Sequence, residues 1–403
     1  MKFLSGLTFL ILVFLFYGFY ISQYNISPTF QKIKPENASY HYDYKGVINV
    51  QSNLSKGSSD PLEIVKEAKL AELDYLILTD KDQFNTEDIF SGYHDGVLYL
   101  NQSEYSFLDS RIIYIDPDSK NKPSNSADSS IFLTNFLSEK NKAAQERILY
   151  LAQPYVNGNP TWTGSYPEGL DGVEILNPRA ISGKAWQRSK LNVMWSLMVY
   201  FFNPEYSFLR LFSEPREELS LWDMLNEKSM SWGFAGADAS AKAIPFSNWL
   251  IKFPSYKSLF EITTNHVLLT SELVSNFSKD KMKILSALKK GNFYTSIDLL
   301  GNPKGFYAIM ETKDKNYLMG SKLSLQKALK LKIGLPNRPH EFFEIVIIKD
   351  GQRLTSFNDH EVEYEITEPG VYRVQVRIAT YLPIPDGSKW ISWIYSNPFF
   401  VNR

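Results

Sequence analysis

The sequence is informative first through what it lacks. It contains no cysteine, which excludes disulfides, thiolate metal sites and a cysteine nucleophile. Only five histidines occur among 403 residues, which limits the imidazole ligands available for a metal cluster. The formal net charge is −1, so a polyelectrolyte partner such as nucleic acid is not expected. The length itself is sufficient for two folded domains with their own cores.

One long apolar run is present, and it lies at the N-terminus. Residues 3–21 contain no charged side chain and, at about 1.5 Å per residue, just reach across the ~30 Å hydrocarbon core of a bilayer. The run is longer than the apolar part of a signal peptide and does not end in an Ala-x-Ala pattern. We therefore expect residues 1–28 to be an uncleaved signal anchor, with the bulk of the protein extracytoplasmic, on the periplasmic or extracellular side. Secretion after signal cleavage is the alternative.

A strand–helix–strand unit follows between Gly46 and Asp82. Val47–Val50 is predicted to be a short buried strand that runs into a polar loop. Asp60 is predicted to cap a helix, because Pro61 follows at the first helical position and apolar residues then recur at helical spacing. Tyr75–Leu78 is predicted to be the second strand. Polar residues at both strand C-termini are the arrangement from which α/β barrels and open α/β sheets build their sites.

The remaining chain is predicted to divide near residue 303. The α/β domain at 29–303 is expected to contain further strands, a loop at 116–130 and a helical insertion at about 183–227. The predicted strands are Val97–Leu100, Arg111–Ile115, Ile148–Ala152 and Gly172–Leu176. Beyond the boundary, short alternating strands separated by turns predict a β-sandwich at 304–403.

Within the insertion, Val193–Phe202 and Tyr206–Phe212 are strongly apolar and aromatic. They are interpreted as a buried helix pair or a lid over the barrel, or alternatively as a patch that lies on the membrane. The first run is too short to be a second membrane span.

The Gly46–Asp82 stretch resembles the start of the PHP (polymerase and histidinol phosphatase) family of metal-dependent phosphoesterases. That family carries His-x-His-Ser-x-x-Ser-x-Asp after its first strand and Thr-Asp-His after its second. Further similarity lies in Gly172–Asn177, Leu221–Ser240 and Ala287–Tyr294, and the C-terminal region resembles the sandwich of an extracytoplasmic branch. The resemblance implies an α/β fold with a distorted (β/α)7-type barrel, whose site lies at the strand C-termini, followed by an all-β sandwich.

The metal-binding histidines of that family do not carry over to this sequence. Where the resemblance implies histidine, the chain has Asn49, Gln51, Lys81, Gln153 and Ser240, and Gly57 replaces a carboxylate. The acidic residues that remain are Asp80, Glu104, Glu174 and Asp238. Amides are weak ligands for zinc or manganese, and a lysine ammonium repels a divalent ion and can instead pair with Glu104 or Asp238. We assign no residue a catalytic role and expect no cofactor. If an ion binds, we expect a single Mg, Mn or Ca ion on Glu104, Asp238 and Asp80.

Three functions are compatible with these residues. The first is a membrane-anchored, catalytically silent binding or assembly module, in which a lysine–carboxylate–amide network replaces the metals and the pocket accepts an anion or a small phosphorylated ligand. The second is a hydrolase, a phosphoesterase with a reworked carboxylate-based site. The third is a structural envelope protein that works through its β-sandwich. The sequence identifies no protein partner.

Overall fold

A computed structural model describes the chain except for residues 1, 27, 29, 33–40, 83–89, 108–109, 118–146, 157, 163–165, 167–168 and 247–248. Most of the loop expected at 116–130 therefore lies outside the described residues. The described helices are α1 (Lys2–Ser22), α2 (Pro61–Leu70), α3 (Pro178–Arg188), α4 (Lys190–Tyr200), α5 (Pro204–Leu211), α6 (Arg216–Asn226), α7 (Tyr256–Phe260) and α8 (Phe277–Lys290).

The described strands fall into two groups along the chain. The first fifteen are β1 (Phe30–Lys32), β2 (Tyr42–Val50), β3 (Tyr75–Lys81), β4 (Gly92–His94), β5 (Val97–Phe107), β6 (Ser110–Ile115), β7 (Ile148–Ala152), β8 (Tyr155–Val156), β9 (Asn159–Pro160), β10 (Gly172–Leu176), β11 (Trp232–Ala239), β12 (Lys242–Phe246), β13 (Trp249–Phe253), β14 (Thr264–Leu269) and β15 (Phe293–Ser296). The C-terminal strands are β16 (Tyr307–Glu311), β17 (Asn316–Leu318), β18 (Lys322–Ser324), β19 (Lys330–Gly334), β20 (Asn337–Pro339), β21 (Phe343–Lys349), β22 (Gln352–Phe357), β23 (Glu361–Glu365), β24 (Gly370–Leu382), β25 (Gly387–Ser396) and β26 (Phe399–Asn402).

Seven of the described strands close into a barrel. The order around it is β2, β3, β5, β6, β7, β10 and β11, and β11 pairs again with β2. The strands run parallel except for β6, which is antiparallel to both of its neighbours. The expected (β/α)7-type pattern is therefore wrong in its details, because β5 and β6 form a hairpin rather than flanking a helix, and the β8–β9 hairpin lies between β7 and β10.

Helices nevertheless make two of the parallel connections. Between β2 and β3, α2 begins where the sequence predicts: Asp60 accepts a hydrogen bond from the backbone N–H of Leu62, and Pro61 occupies the first turn. Its buried face consists of Pro61, Ile64, Val65 and Ala68. Between β10 and β11, the chain forms α3 to α6. This helical insertion begins at Pro178, earlier than expected at 183, because Asn177 caps α3 directly after β10.

The barrel continues into the C-terminal quarter of the chain through hydrogen-bonded strands. The first half of β2 pairs with β14, β14 pairs with β15, and β15 pairs with β25. There β25, β24, β21 and β22 form one sheet, and β17, β16, β19 and β23 form a separate four-stranded sheet. Core residues of the two sheets, such as Ile347 and Ile333, lie in a single hydrophobic cluster.

A buried group of charged side chains lies at the start of β2, on the side of β14 and β15. The His266 imidazole is 2.8 Å from Asp43 through Nδ1 and 3.7 Å from Asp298 through Nε2. Asp43 also accepts hydrogen bonds from the Tyr294 hydroxyl and the Gly305 N–H. Burial alone would lower the pKa of His266, but the two carboxylates outweigh it and raise the pKa to about 9. His266 is therefore protonated at neutral pH and holds β14 against β2 and the 303–305 turn.

Candidate functional site: a carboxylate–amide cluster at the barrel mouth

The residues singled out by the sequence lie at the C-terminal ends of the barrel strands. They are Asn49 and Gln51 at the end of β2, Asp80 and Lys81 on β3, Glu104 on β5, Gln153 after β7, Glu174 on β10, Asp238 on β11 and Ser240 just after it. All are buried except Lys81, which is half-buried. The expected strand end at Leu100 is wrong, because β5 continues to Phe107 and places Glu104 within the barrel wall.

Two amide residues bind two buried carboxylates at the centre of this mouth. Asn49 Nδ2 donates to Glu174 Oε1 over 2.9 Å. Gln153 donates twice, from its backbone N–H to Glu174 Oε2 over 2.6 Å and from its side chain to Asp238 Oδ2. Asn177 Nδ2 adds a long contact of 3.5 Å to Asp238. At least one oxygen of each carboxylate is therefore satisfied by a neutral N–H donor.

The backbone at these positions is strained in a way that aims side chains into the mouth. Asn49, Gln153 and Asp238 have φ angles of 66°, 45° and 41°, in the left-handed region. Each such residue costs on the order of 1 kcal/mol and persists only where the surrounding structure enforces it. Three such residues at the ends of β2, β7 and β11 favour a site over a purely structural arrangement.

Gly236 makes room for the Glu174 carboxylate. A Cβ added at Gly236 would lie 1.5 Å from Glu174 Oε1 and 3.1 Å from Asn49 Nδ2. Only glycine can therefore occupy this position of β11 while Glu174 keeps its place.

Asp80 organises the polar loop after β2. Its Oδ1 accepts from the backbone N–H of Ser52 over 2.7 Å and from the Ser55 hydroxyl over 2.5 Å, and its Oδ2 accepts from the Ser52 hydroxyl. Gly57 belongs to the same loop, where a Cβ would lie 2.1 Å from the Gln51 carbonyl oxygen. Asp80 therefore serves to fix the loop, and its oxygens point to loop donors.

Glu104 differs from Asp80, because its carboxylate is buried with few favourable interactions to offset the loss of hydration. Among the described residues, neither of its carboxylate oxygens has a hydrogen-bond partner, and the nearest cation is Arg111, whose Nε is 3.8 Å from Oε1. Burial raises the pKa of Glu104 to about 7; Arg111 opposes this rise and Asp238 adds to it. Glu104 therefore changes its charge near neutral pH.

The pKa of the Glu174 carboxyl group is raised even further than that of Glu104. Burial raises its pKa to about 8, and the nearby Asp238 carboxylate adds to the rise, whereas the hydrogen bonds from Gln153 and Asn49 oppose it. The mouth thus contains two carboxyl groups that retain or share protons at neutral pH.

Four cationic side chains surround the carboxylates, and we call them the cationic rim: Lys56, Lys81, Arg111 and Arg179. Lys56 interacts electrostatically with the other three, and burial together with these like charges lowers its pKa. Arg179 is half-exposed, and its guanidinium lies 3.7 Å from Asp238 Oδ1. Lys81 lies 3.9 Å from Asp82 and also interacts with Glu104.

The donor set does not fit the multi-metal cluster that the resemblance implies. Among the described residues, no group of three or more histidine, cysteine, aspartate or glutamate side chains is arranged to hold a metal ion. Glu174 and Asp238 direct oxygens toward amide donors, and Asp80 is bound by its loop. The cationic rim would also repel a divalent ion.

Space beside the amide–carboxylate cluster is small. The cavity lined by Gln153, Glu174 and Asn177 has a volume of about 10 Å³, room for about one water molecule. A larger ligand would therefore contact the cationic rim rather than the Glu174 carboxylate.

Sequence reasoning missed the side chains that complete this site. Arg111, Lys56 and Arg179 carry no motif, and Arg111 reaches Glu104 only because β5 and β6 form a hairpin. Asn177 did carry a sequence signal for the start of α3, because it follows a buried strand and precedes a proline, as expected of a helix cap.

Comparisons with known proteins give a limited result. No protein-family model matches the chain. No curated protein matches it either. The chain is similar to the crystal structure of a two-domain protein from Bacteroides vulgatus ATCC 8482 that contains a predicted PHP-like metal-dependent phosphoesterase, with 14% identity and a TM-score of 0.37, over 91% of this chain and 99% of the other. The fold described above accordingly rests on the strand pairing of this chain alone.

Proposed function

We propose that the protein is a membrane-anchored binding module whose barrel mouth works without a metal cluster and takes a small anionic, phosphate-bearing ligand on the cationic rim. The observation that carries this proposal is the double donation by Gln153 to Glu174 and Asp238. An amide at this position supplies the positive end of a dipole where a metal ion would supply full charge. The carboxylates are thereby stabilised internally, and the four rim cations contribute positive charge at the mouth that attracts a small anion.

Anchoring through α1 is the second part of the proposal. The helix contains one apolar segment, Ser5–Ser22, of sufficient length to cross a membrane. A cleaved signal sequence can have the same length and apolar composition. Contacts with the rest of the chain favour retention: Asn203 Nδ2 donates to the Ile21 and Tyr24 carbonyls, and Ile21 is fully buried. Cleavage after Ser22 would remove a buried side chain and leave Asn203 without one of these partners.

A reworked hydrolase is the second candidate, and the shifted carboxyl groups favour it. A general acid or base works best when its pKa lies near the operating pH, and Glu104 at about 7 meets that condition. In that case the bound substrate would have to reach the buried carboxylate of Glu104, which would give or take a proton while the cationic rim holds the substrate phosphate.

The experiment uses full-length protein in detergent, purified without chelator. We expect negligible bound manganese, zinc or magnesium by elemental analysis, and a rise in the thermal midpoint with inorganic phosphate or pyrophosphate. At a ligand concentration of 100 Kd the stabilisation is about 2.7 kcal/mol. Lys81→Met should weaken the response, whereas Lys327→Met, which removes an exposed lysine from the C-terminal quarter, should leave it unchanged.

Two results would separate the candidates. Hydrolysis of a generic phosphoester without added metal, lost in Glu104→Gln, would favour the reworked hydrolase. Tightly bound metal that is lost in Asp238→Ala would contradict the metal-free proposal altogether.

A further inference from the structure

Helix α4 is apolar on two opposite faces. Its inner face, Val193, Ser196 and Val199, is buried against the body of the protein. The outer face is exposed over its whole length, with Leu191 84% and Phe201 79% exposed. Between them lie Met194, Leu197 and Met198, which are also exposed. A helix that is hydrophobic all round is normally buried, so the outer face requires an apolar covering.

The neighbouring helix α1 indicates what covers this face. Phe14 of α1 contacts Trp195 and Phe202 edge to face, at ring-centroid distances of 5.9 and 5.5 Å. Gly18 of α1 lies so close to Phe202 that an added Cβ would be 2.4 Å from its ring. The segment 195–202 therefore packs directly against α1, whose own apolar side chains are exposed.

The depth of this contact can be estimated from helix geometry. Phe14 precedes the end of α1 at Ser22 by eight residues, which corresponds to about 12 Å along the helix axis. If Ser22 lies at the surface of the hydrocarbon region, the partners of Phe14 lie below that surface. Gly18, which contacts Phe202, precedes Ser22 by four residues or about 6 Å, and this contact lies within the 5–10 Å to which interfacial helices bury their apolar face.

The charges around α4 fit the headgroup region. Residues 186–203 contain two cations, Arg188 and Lys190, and no acidic residue. Next to the first turn of α4 lies a cavity of about 300 Å³. Its lining includes Arg188, Arg210, Arg216, Arg377, Lys389 and one carboxylate, Glu214. Arg210 is paired with Asp386 and Arg377 with Glu344, so the positive charge beside the apolar face comes from Arg188 and Lys190 together with Arg216 and Lys389. Positive charge beside an apolar face is the arrangement that binds a bilayer with anionic phospholipids.

We infer that the outer face of α4, from Leu191 to Phe201, is inserted into the membrane interface, so that the protein body lies on the bilayer rather than extending from it on a tether. Ile384, whose carbonyl accepts a hydrogen bond from Tyr17 of α1, is a further exposed apolar side chain beside the anchor helix. This inference rests on the retention of α1 proposed above.

The test exploits the absence of cysteine. Full-length protein with a single cysteine is labelled with an environment-sensitive fluorophore and reconstituted into vesicles of phosphatidylcholine and phosphatidylglycerol that contain acyl-chain nitroxide quenchers. Phe201→Cys reports on α4, and Phe16→Cys reports on α1. Phe342→Cys is the matched control, since Phe342 is 72% exposed in the C-terminal quarter. Leu191→Cys provides a second α4 position if Phe201→Cys is unstable. All of these side chains are exposed, so thermal midpoints close to that of the unmodified protein are expected.

We expect the label at 201 to be quenched by the lipid nitroxide as strongly as the label at 16, and to be several-fold less accessible to aqueous iodide than the label at 342. Quenching at 16 but not at 201 would overturn the inference and leave the anchor intact. Absence of quenching at both positions would overturn the inference together with the anchor. Iodide protection at 201 without lipid quenching would show that a second protein copy covers α4, which also overturns the inference.

Discussion

Replacement of Glu104 by glutamine should stabilise the protein at high pH and not at low pH. The folded-state pKa of Glu104 is about 7, against an ordinary value of 4.5. A carboxyl group whose pKa is raised by folding binds more protons in the folded state, so stability falls as pH rises from about 4.5 to 7. The difference between these two pKa values corresponds to about 3 kcal/mol at pH 8, at 1.36 kcal/mol per pKa unit.

Glu104→Gln removes this ionisation and adds a pH-independent offset, since the amide also lacks hydrogen-bond partners. The assay is thermal or denaturant-induced unfolding of full-length protein in detergent at several values between pH 4.5 and 8. We expect the free-energy difference between the variant and the parent to shift by about 3 kcal/mol toward the variant across this range. Glu365→Gln, at an exposed position of β23, should give a flat difference. A flat difference for Glu104→Gln as well would refute the reasoning, because it would mean that Glu104 is solvated in the folded state.

Two further substitutions test other parts of the structure. His266→Gln should remove the stability that comes from the pairing of His266 with Asp43, which raises the pKa of His266. That stability is fully present below about pH 6.5 and is lost as pH rises toward 9, so unfolding at pH 6 should show a loss of about 3–5 kcal/mol. A loss that is equal at pH 6 and pH 9.5 would contradict the pairing. Gly236→Ala should displace Glu174 and lower the free energy of unfolding by about 1–3 kcal/mol. Gly92→Ala should be nearly neutral, because an added Cβ there has no contact nearer than 3.8 Å. Equal thermal midpoints for the two variants would argue against the close fit at Gly236.

Local features of the fold were predictable from sequence. The Asp60–Pro61 start of α2 and the strands Ile148–Ala152 and Gly172–Leu176 are confirmed at the expected residues. Each depends on neighbouring residues only, through capping chemistry or a short apolar run between turn signals.

The long-range pairings were not predictable in the same way. Nothing in the Arg111–Ile115 run indicates that β6 is antiparallel, and the continuation of β5 through Glu104 contradicts the polar pattern of that segment. At the site, the residue positions followed from the strand ends, but the bond between Asn49 and Glu174 joins side chains 125 residues apart. Such a contact depends on barrel closure, which a local pattern does not specify.

The hydrogen-bonded path from β2 through β14 and β15 to β25 is unbroken, so the boundary near residue 303 does not separate two independent sheets. A change in composition marks that position along the chain, yet mechanical force applied to the last hundred residues would pass directly into the barrel wall. Removing those residues would turn β15 into an open edge and expose a template for intermolecular strand pairing. The last hundred residues thus cover an edge of the sheet that β15 would otherwise expose, and we expect the two regions to unfold together.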